Sequence, residues 1–315
     1  MPRRLLSLFP LASAAMVASA LLTGAASAPA AATNTPAPPP GSTYVALGSS
    51  YAAGASISPT GPADPTGCGR SAAAYPAVVA TRLKLALVDA ACGGAVTGDL
   101  TTQSQVTRGA NGSMVSLPPQ IESVTAETRL VTITVGGNDI NYVGQLIAAA
   151  CQGTLTTTPS DPTANYLKQY GFCTPWSDSA VDTALAQVGD NIAGVVRAVH
   201  AKAPQARIVL VDYLDVLPAD GKPCASLPIP QTQQKTLLED ARKLALATRH
   251  AAQETGAELV SAAQDGRGHD ACSSAPWVTG WDFAPGVTLM HPNAAGQTAV
   301  ADAIIMQLSQ PGTAS

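Results

Sequence analysis

Apolar positions along the chain alternate between short unbroken runs and longer stretches in which they recur every three or four residues. Thr43–Leu47 carries β-forming Thr, Tyr and Val and ends at Gly48, Leu130–Val135 is a β-branched run ended by Gly136-Gly137, and Arg207–Val211 is a further apolar run, so these predict strands, as do the shorter Ala86–Ala90 and Glu258–Val260. The periodic stretches predict helices over Tyr75–Leu85, Asp182–Ala203, Thr232–Thr255 and Ala294–Leu308. Pro76 suits a first helical turn, Gly256 ends the third helix, and Asn293 opens the last.

A strand that is apolar on both faces must be covered on both faces, so this alternation predicts an α/β fold: a parallel sheet between two helix layers. The Pro- and Gly-containing stretches Gly153–Pro175 and Leu217–Pro230 read as surface excursions, each near a cysteine. In a parallel sheet, functional groups gather at the carboxyl ends of the strands. Three segments fall there: Gly48-Ser49-Ser50, Cys92-Gly93-Gly94 and Gly136-Gly137-Asn138-Asp139.

The N-terminus has another character. Arg3 and Arg4 lead into an apolar run from Leu5 to Leu22 and then Ala26-Ser27-Ala28, the pattern of an export signal over residues 1–28. A membrane anchor is the competing reading of that run, but Ser7, Pro10, Ser13 and Ser19 interrupt it and no second span follows, so no stable membrane insertion is expected. Residues 29–41 are almost entirely Ala, Pro, Thr and Ser and read as a disordered tail, leaving one domain over 42–315. The expected product is exported and extracellular.

Hydrophobic residues make up 46% of the chain and charged residues 12%, the balance of a globular protein rather than a disordered one. A formal charge of -4, with no Lys/Arg cluster beyond the leader, argues against nucleic acid as a partner. The six cysteines, Cys68, Cys92, Cys151, Cys173, Cys224 and Cys272, point to disulfides in an exported chain, with the pairing left open. Their spacing contains no zinc-knuckle pair, and no HExxH helix is present, so no metal site is expected.

A serine on a tight strand-to-helix turn is presented beside backbone N–H groups, as an acyl-transfer nucleophile requires; Ser49 and Ser50 both qualify. Asn138 carries an amide able to donate to a developing oxyanion, or else makes an Asx turn. His291, before the terminal helix, is placed to act as general base. His269, in a polar loop near Cys272, competes for that part, whereas His200 and His250 sit within long helices.

Gly48-Ser49-Ser50-Tyr51, Cys92-Gly93-Gly94-Ala95, Gly136-Gly137-Asn138-Asp139 and His291-Pro292-Asn293-Ala294-Ala295-Gly296 resemble, in order, the sequence blocks of the SGNH or GDSL hydrolases. The segment Cys68–Pro76 is also similar to the secreted actinobacterial lipases and esterases of that family. The resemblance implies a flavodoxin-like three-layer αβα fold and hydrolysis of small-molecule or lipid carboxylic esters without a cofactor. It also implies Ser50 as nucleophile, His291 as base, and the Ser50 N–H, Gly94 N–H and Asn138 amide as the oxyanion hole. Disulfides Cys68–Cys92, Cys151–Cys173 and Cys224–Cys272 follow from the same likeness.

Two positions depart from the family pattern: Ser49 stands where an Asp usually precedes the nucleophile, and Thr288 where an Asp often precedes the histidine. The resemblance to members that lack the third acid implies a Ser–His dyad, with the carbonyl of Thr288 or Leu289 orienting the imidazole. Asp282 is the alternative orienting group. Removal of acetyl groups from carbohydrate, and non-catalytic binding of cell wall or glycan on the same fold, are the rival functions.

Overall fold

A computed structural model describes residues 36–55, 57, 66–109 and 111–310. The expected leader, and the expected tail as far as residue 35, lie outside the described residues. Residues 36–41 do pack on the domain: Pro38 is buried and the Gly41 N–H donates to the Lys84 carbonyl at 2.8 Å.

In chain order the elements are β1 (Thr43–Gly48), α1 (Ser50–Ala53), α2 (Tyr75–Leu83), β2 (Ala86–Asp89), α3 (Thr97–Thr101), β3 (Gln105–Arg108) and β4 (Met114–Leu117). There follow β5 (Thr128–Thr134), α4 (Tyr142–Thr157), α5 (Pro162–Gln169), α6 (Asp178–Lys202), β6 (Arg207–Val211), α7 (Gln231–Thr255), β7 (Glu258–Val260), α8 (Ala262–Asp265) and α9 (Ala294–Ser309). Five strands form one parallel sheet in the order β2-β1-β5-β6-β7. Helices flank it in two groups, α2 against α9 and α6 against α7 and α3, giving a three-layer αβα sandwich.

The central strands are what a doubly covered sheet demands: Tyr44, Leu47, Leu130, Ile133 and Leu210 are all but fully buried. Burying each such side chain contributes about 1.5–3 kcal/mol. Helix ends follow from local chemistry. The Ser177 hydroxyl accepts the Ala180 N–H at the start of α6, the Asn293 carboxamide accepts the Gly296 N–H at the start of α9, and Gly256 takes a left-handed conformation after α7.

Two expectations need correction. The stretch Gly153–Pro175 is largely helical: α4 continues through it to Thr157, α5 follows, and Cys151 and Ala164 are buried beneath a disulfide to Cys173. The stretch Leu217–Pro230 is irregular but not superficial, because Leu217, Leu227 and Ile229 are buried in the core. The antiparallel hairpin β3–β4 carried no alternation strong enough to predict it. Disulfides Cys68–Cys92 and Cys224–Cys272 complete the three.

The chain leaves β1 towards β2 on one side and returns to β5 on the other, so the order of strands reverses between β1 and β5. The crevice beyond the carboxyl ends of that pair is where open α/β sheets bind ligands. Because Gly48 pairs with Thr134, both strands end at the same level and deliver Ser49-Ser50 and Gly136-Gly137-Asn138 side by side.

At the opposite edge of the same sheet the Arg207 guanidinium is buried against the Glu258 carboxylate, with Nε–Oε1 at 2.7 Å and Nη2–Oε2 at 2.6 Å. Arg207 also donates to the Leu308 carbonyl at 2.9 Å, and Gln307 donates to Glu258 at 2.9 Å, so the pair joins β6, β7 and α9. Removing one charge strands the other in a dry setting, a loss of about 3–5 kcal/mol. Glu258→Ala should therefore lower the calorimetric Tm by roughly 10 °C, while activity at 25 °C is retained because the pair lies at the amino ends of the strands. An unchanged Tm would show the pair to be dispensable.

Candidate active site

The turn after β1 is built around Gly48, whose φ of +144° and close packing exclude a side chain; a Cβ there would lie 2.4 Å from the Thr134 carbonyl oxygen. The Gln120 carboxamide grips this residue at both ends, accepting the Gly48 N–H at 2.8 Å and donating to its carbonyl at 3.0 Å. The Ser49 N–H donates to the Thr134 carbonyl at 2.9 Å, and α1 begins at the next residue.

These constraints separate the two serines. Ser49 points inward, 1% exposed, with its Oγ 3.3 Å from the Tyr213 hydroxyl. Ser50 is partly exposed, and its Oγ lies 2.7 Å from His291 Nε2. The imidazole's other nitrogen, Nδ1, is 2.7 Å from the Leu289 carbonyl. A carbonyl only accepts, so Nδ1 carries the proton and Nε2 turns its lone pair to the Ser50 hydroxyl, which donates.

Of the three orienting groups weighed from sequence, the structure places only Leu289 at the ring. The Thr288 carbonyl accepts the Thr279 hydroxyl at 2.5 Å instead. Asp282 is exposed and accepts the Ala284 N–H. His269 is stacked on Trp277 with ring centroids 4.0 Å apart and its Nδ1 2.7 Å from the Ala275 carbonyl, away from Ser50. His200 and His250 lie within α6 and α7.

The histidine loop is held from several sides. Thr279 donates its N–H to the His291 carbonyl at 2.8 Å, and its hydroxyl accepts the His291 N–H at 3.1 Å. Val278 forms a β-bridge with Pro292. Burial pushes His291 below the ordinary imidazole pKa of 6.5, and the Leu289 carbonyl, which favours the protonated ring, opposes that shift.

The remaining segment is the loop after β2. The Cys92 N–H donates to the Gly48 carbonyl at 2.9 Å and the Gly93 N–H to the Cys68 carbonyl at 2.9 Å, across the Cys68–Cys92 disulfide. Gly94 adopts φ +81°. Among the described residues, neither the Gly94 N–H nor the Ser50 N–H is engaged in a hydrogen bond. The Asn138 Nδ2 donates to the Ala95 carbonyl at 2.9 Å, which uses one of its two protons and leaves the other.

The neighbouring Asp139 carboxylate receives the Thr97 N–H at 3.1 Å and its hydroxyl, tying the end of β5 to α3. Burial raises the pKa of Asp139 and the bonds from Thr97 counter it. Ser50, His291, Gly94 and Asn138 therefore all stand on segments that converge at the β1–β5 crevice. Gln120, Tyr213 and Thr279 escaped the sequence reading; only Tyr213, just past the carboxyl end of β6, carried a positional signal.

Residues 46–299 match the model of the GDSL-like Lipase/Acylhydrolase family. The chain is 31% identical over 264 residues to Lipase 2 of Streptomyces coelicolor, which covers 82% of this chain and 83% of that one. Its fold is similar to phospholipase A1 from Streptomyces albidoflavus NA297, with a TM-score of 0.63 and 24% identity over 85% of this chain and 99% of that one. It is also similar to an extracellular lipase from Streptomyces rimosus, with a TM-score of 0.62 and 24% identity over 84% and 99% of the two chains.

The balance of effects on the imidazole gives a direct test. In a nitrogen-15 NMR titration, His291 should protonate with a midpoint below 6.5 and show the Nδ1-H tautomer above it. A midpoint above 6.5 would mean that a carboxylate, not a carbonyl, governs the ring.

Proposed function

The chain belongs to the GDSL-like Lipase/Acylhydrolase family and is a carboxylic ester hydrolase, and we propose that it works through an acyl-enzyme on Ser50 with His291 as general base. One observation carries the proposal: Ser50 Oγ lies 2.7 Å from His291 Nε2, and the Leu289 carbonyl lies 2.7 Å from Nδ1 on the other side of the same ring.

In the forward step the Ser50 oxygen bonds to the ester carbonyl carbon while its proton passes to His291 Nε2. The carbonyl electron pair moves onto oxygen, which the Ser50 N–H, the Gly94 N–H and the free proton of Asn138 Nδ2 then hold. Collapse of the tetrahedral intermediate breaks the bond to the alcohol oxygen, which takes the proton from the imidazolium. Water repeats the sequence against the acyl-enzyme, releasing the acid and regenerating the Ser50 hydroxyl. The Leu289 carbonyl keeps the ring in the correct tautomer throughout, so no acid is needed as a third member.

The kinship with lipases supports fatty acyl esters of medium or long chain as substrates. The Streptomyces rimosus relative is described as an extracellular lipase, which supports export of this chain by its N-terminal segment. Among the described residues no helix is long and apolar enough to cross a membrane.

Ser50→Ala should reduce hydrolysis of a chromogenic ester by about 10⁴-fold or more, with the circular dichroism spectrum unchanged; retained turnover removes Ser50 from the mechanism. A fluorophosphonate should label Ser50, and failure to do so favours a non-catalytic glycan-binding protein. Asn138→Ala should lower kcat by about 10²-fold. Asp282→Asn should leave kcat within about twofold, whereas a triad acid would cost several hundredfold or more. Activity that collapses for acyl groups longer than acetyl would replace the lipase assignment with a carbohydrate deacetylase.

A further inference from the structure

Beneath the proposed site lie two tyrosines in ring contact, Tyr51 and Tyr213, with centroids 4.7 Å apart at 56°. Both are buried, 3% and 7% exposed, and burial raises both phenol pKa values, so each acts as a neutral hydroxyl. Their hydroxyls run to opposite halves of the site.

Tyr51 donates to the Met290 carbonyl at 2.7 Å, and its ring stands 5.1 Å from the His291 ring. Met290 has a φ of +59°, a left-handed conformation disfavoured for a residue with a side chain. The two peptides that flank its Cα carry the Leu289 carbonyl, bound to His291 Nδ1, and the Met290 carbonyl, bound to Tyr51. Rotation of Met290 towards an ordinary φ would swing one carbonyl against the other. The Tyr51 hydroxyl resists that rotation.

Tyr213 accepts the Gly137 N–H at 2.9 Å and shares a hydrogen bond with Ser49 Oγ at 3.3 Å. A Cβ at Gly137 would lie 2.7 Å from the Tyr213 ring, so only glycine admits this approach. The hydroxyl thus spans the residue before Ser50 and the residue before Asn138.

We propose that Tyr51 and Tyr213 are paired positioning residues, Tyr51 aiming His291 through the Met290–Leu289 backbone and Tyr213 fixing Asn138 relative to Ser50. The proposal rests on the roles given above to Ser50, His291 and Asn138. Neither tyrosine touches substrate in this scheme. Each acts through another group, and the two should leave different kinetic signatures.

The test measures p-nitrophenyl butyrate hydrolysis across pH for Tyr51→Phe, Tyr213→Phe and a control, Tyr44→Phe, whose equally buried hydroxyl bonds Thr132 within the sheet. Misalignment of a catalytic group by a fraction of an ångström should lower kcat about tenfold in each of the first two variants, with KM changed less than about twofold. In Tyr51→Phe the acid limb of kcat/KM should also move to lower pH, because the Leu289 carbonyl that favours imidazolium is no longer well aimed. In Tyr213→Phe the limb should stay in place while inhibition by an alkyl boronic acid weakens in parallel with kcat.

Wild-type kcat in either variant overturns its half of the proposal. A Tyr51→Phe variant that loses rate without moving the limb, or a Tyr44→Phe control that reproduces the movement, assigns the effect to general packing and overturns it too. Fluorophosphonate labelling of the wild type separates the levels: absence of label at Ser50 defeats the mechanism and the pair together, whereas normal label with unaffected variants defeats the pair alone.

Discussion

The nucleophile side of the site is referred to the peptide of Gly48. Its carbonyl accepts from Cys92 N–H and from Gln120, its N–H donates to Gln120, and the next N–H binds the carbonyl of Thr134. Three segments remote in sequence, at Cys92, Gln120 and Thr134, thus meet one peptide at the end of a buried strand. Buried peptide groups must be satisfied, so none of these partners can drift without leaving a donor or acceptor stranded. Ser50 is then placed by these bonds together with its own, its carbonyl accepting from Gly54 and Ala55 in the turn of α1.

The second half of the arrangement is a way of orienting an imidazole without an ionised partner. A carboxylate at Nδ1 would stabilise imidazolium strongly and hold the base at a higher pKa. A carbonyl fixes the same tautomer with a weaker field, and burial then depresses the basicity of His291. The local fold compensates with geometry: Thr279 braces the loop through its N–H and hydroxyl, and Met290 accepts an unfavourable φ so that the Leu289 carbonyl faces the ring.

Much of the fold was legible because burial on both faces leaves a plain signature. Thr43–Leu47 and Arg207–Val211 are largely apolar runs, and the structure makes strands of them with ends shifted by a residue at most. Helix α4 was not legible, since its buried residues mix Tyr142, Leu146 and Cys151 with Ala, Gly and Gln and leave little hydrophobic contrast between its faces, and Gly153 with the Thr and Pro beyond it reads as loop. Of the two adjacent serines, backbone direction distinguishes the exposed one, and direction becomes visible only with the turn in place. The choice of Leu289 over Thr288 likewise depends on one dihedral at Met290, which composition does not encode. Gln120 left no mark, being an ordinary polar residue after two prolines until the fold brings it to Gly48.

The disulfide between Cys68 and Cys92 spans 24 residues and ends one residue before the Gly93-Gly94 turn. Closing a loop of that length stabilises a fold by about 3 kcal/mol, but here the link also fastens the strip of backbone that presents Gly94. The Ser50–His291 contact does not pass through it. A chain with these thiols reduced would therefore keep its Ser50–His291 contact and loosen one of the three proposed donors to the developing negative charge. Because forming and hydrolysing the acyl-enzyme both pass through an oxyanion, thiol chemistry would then set the pace of both half-reactions without removing the attacking group.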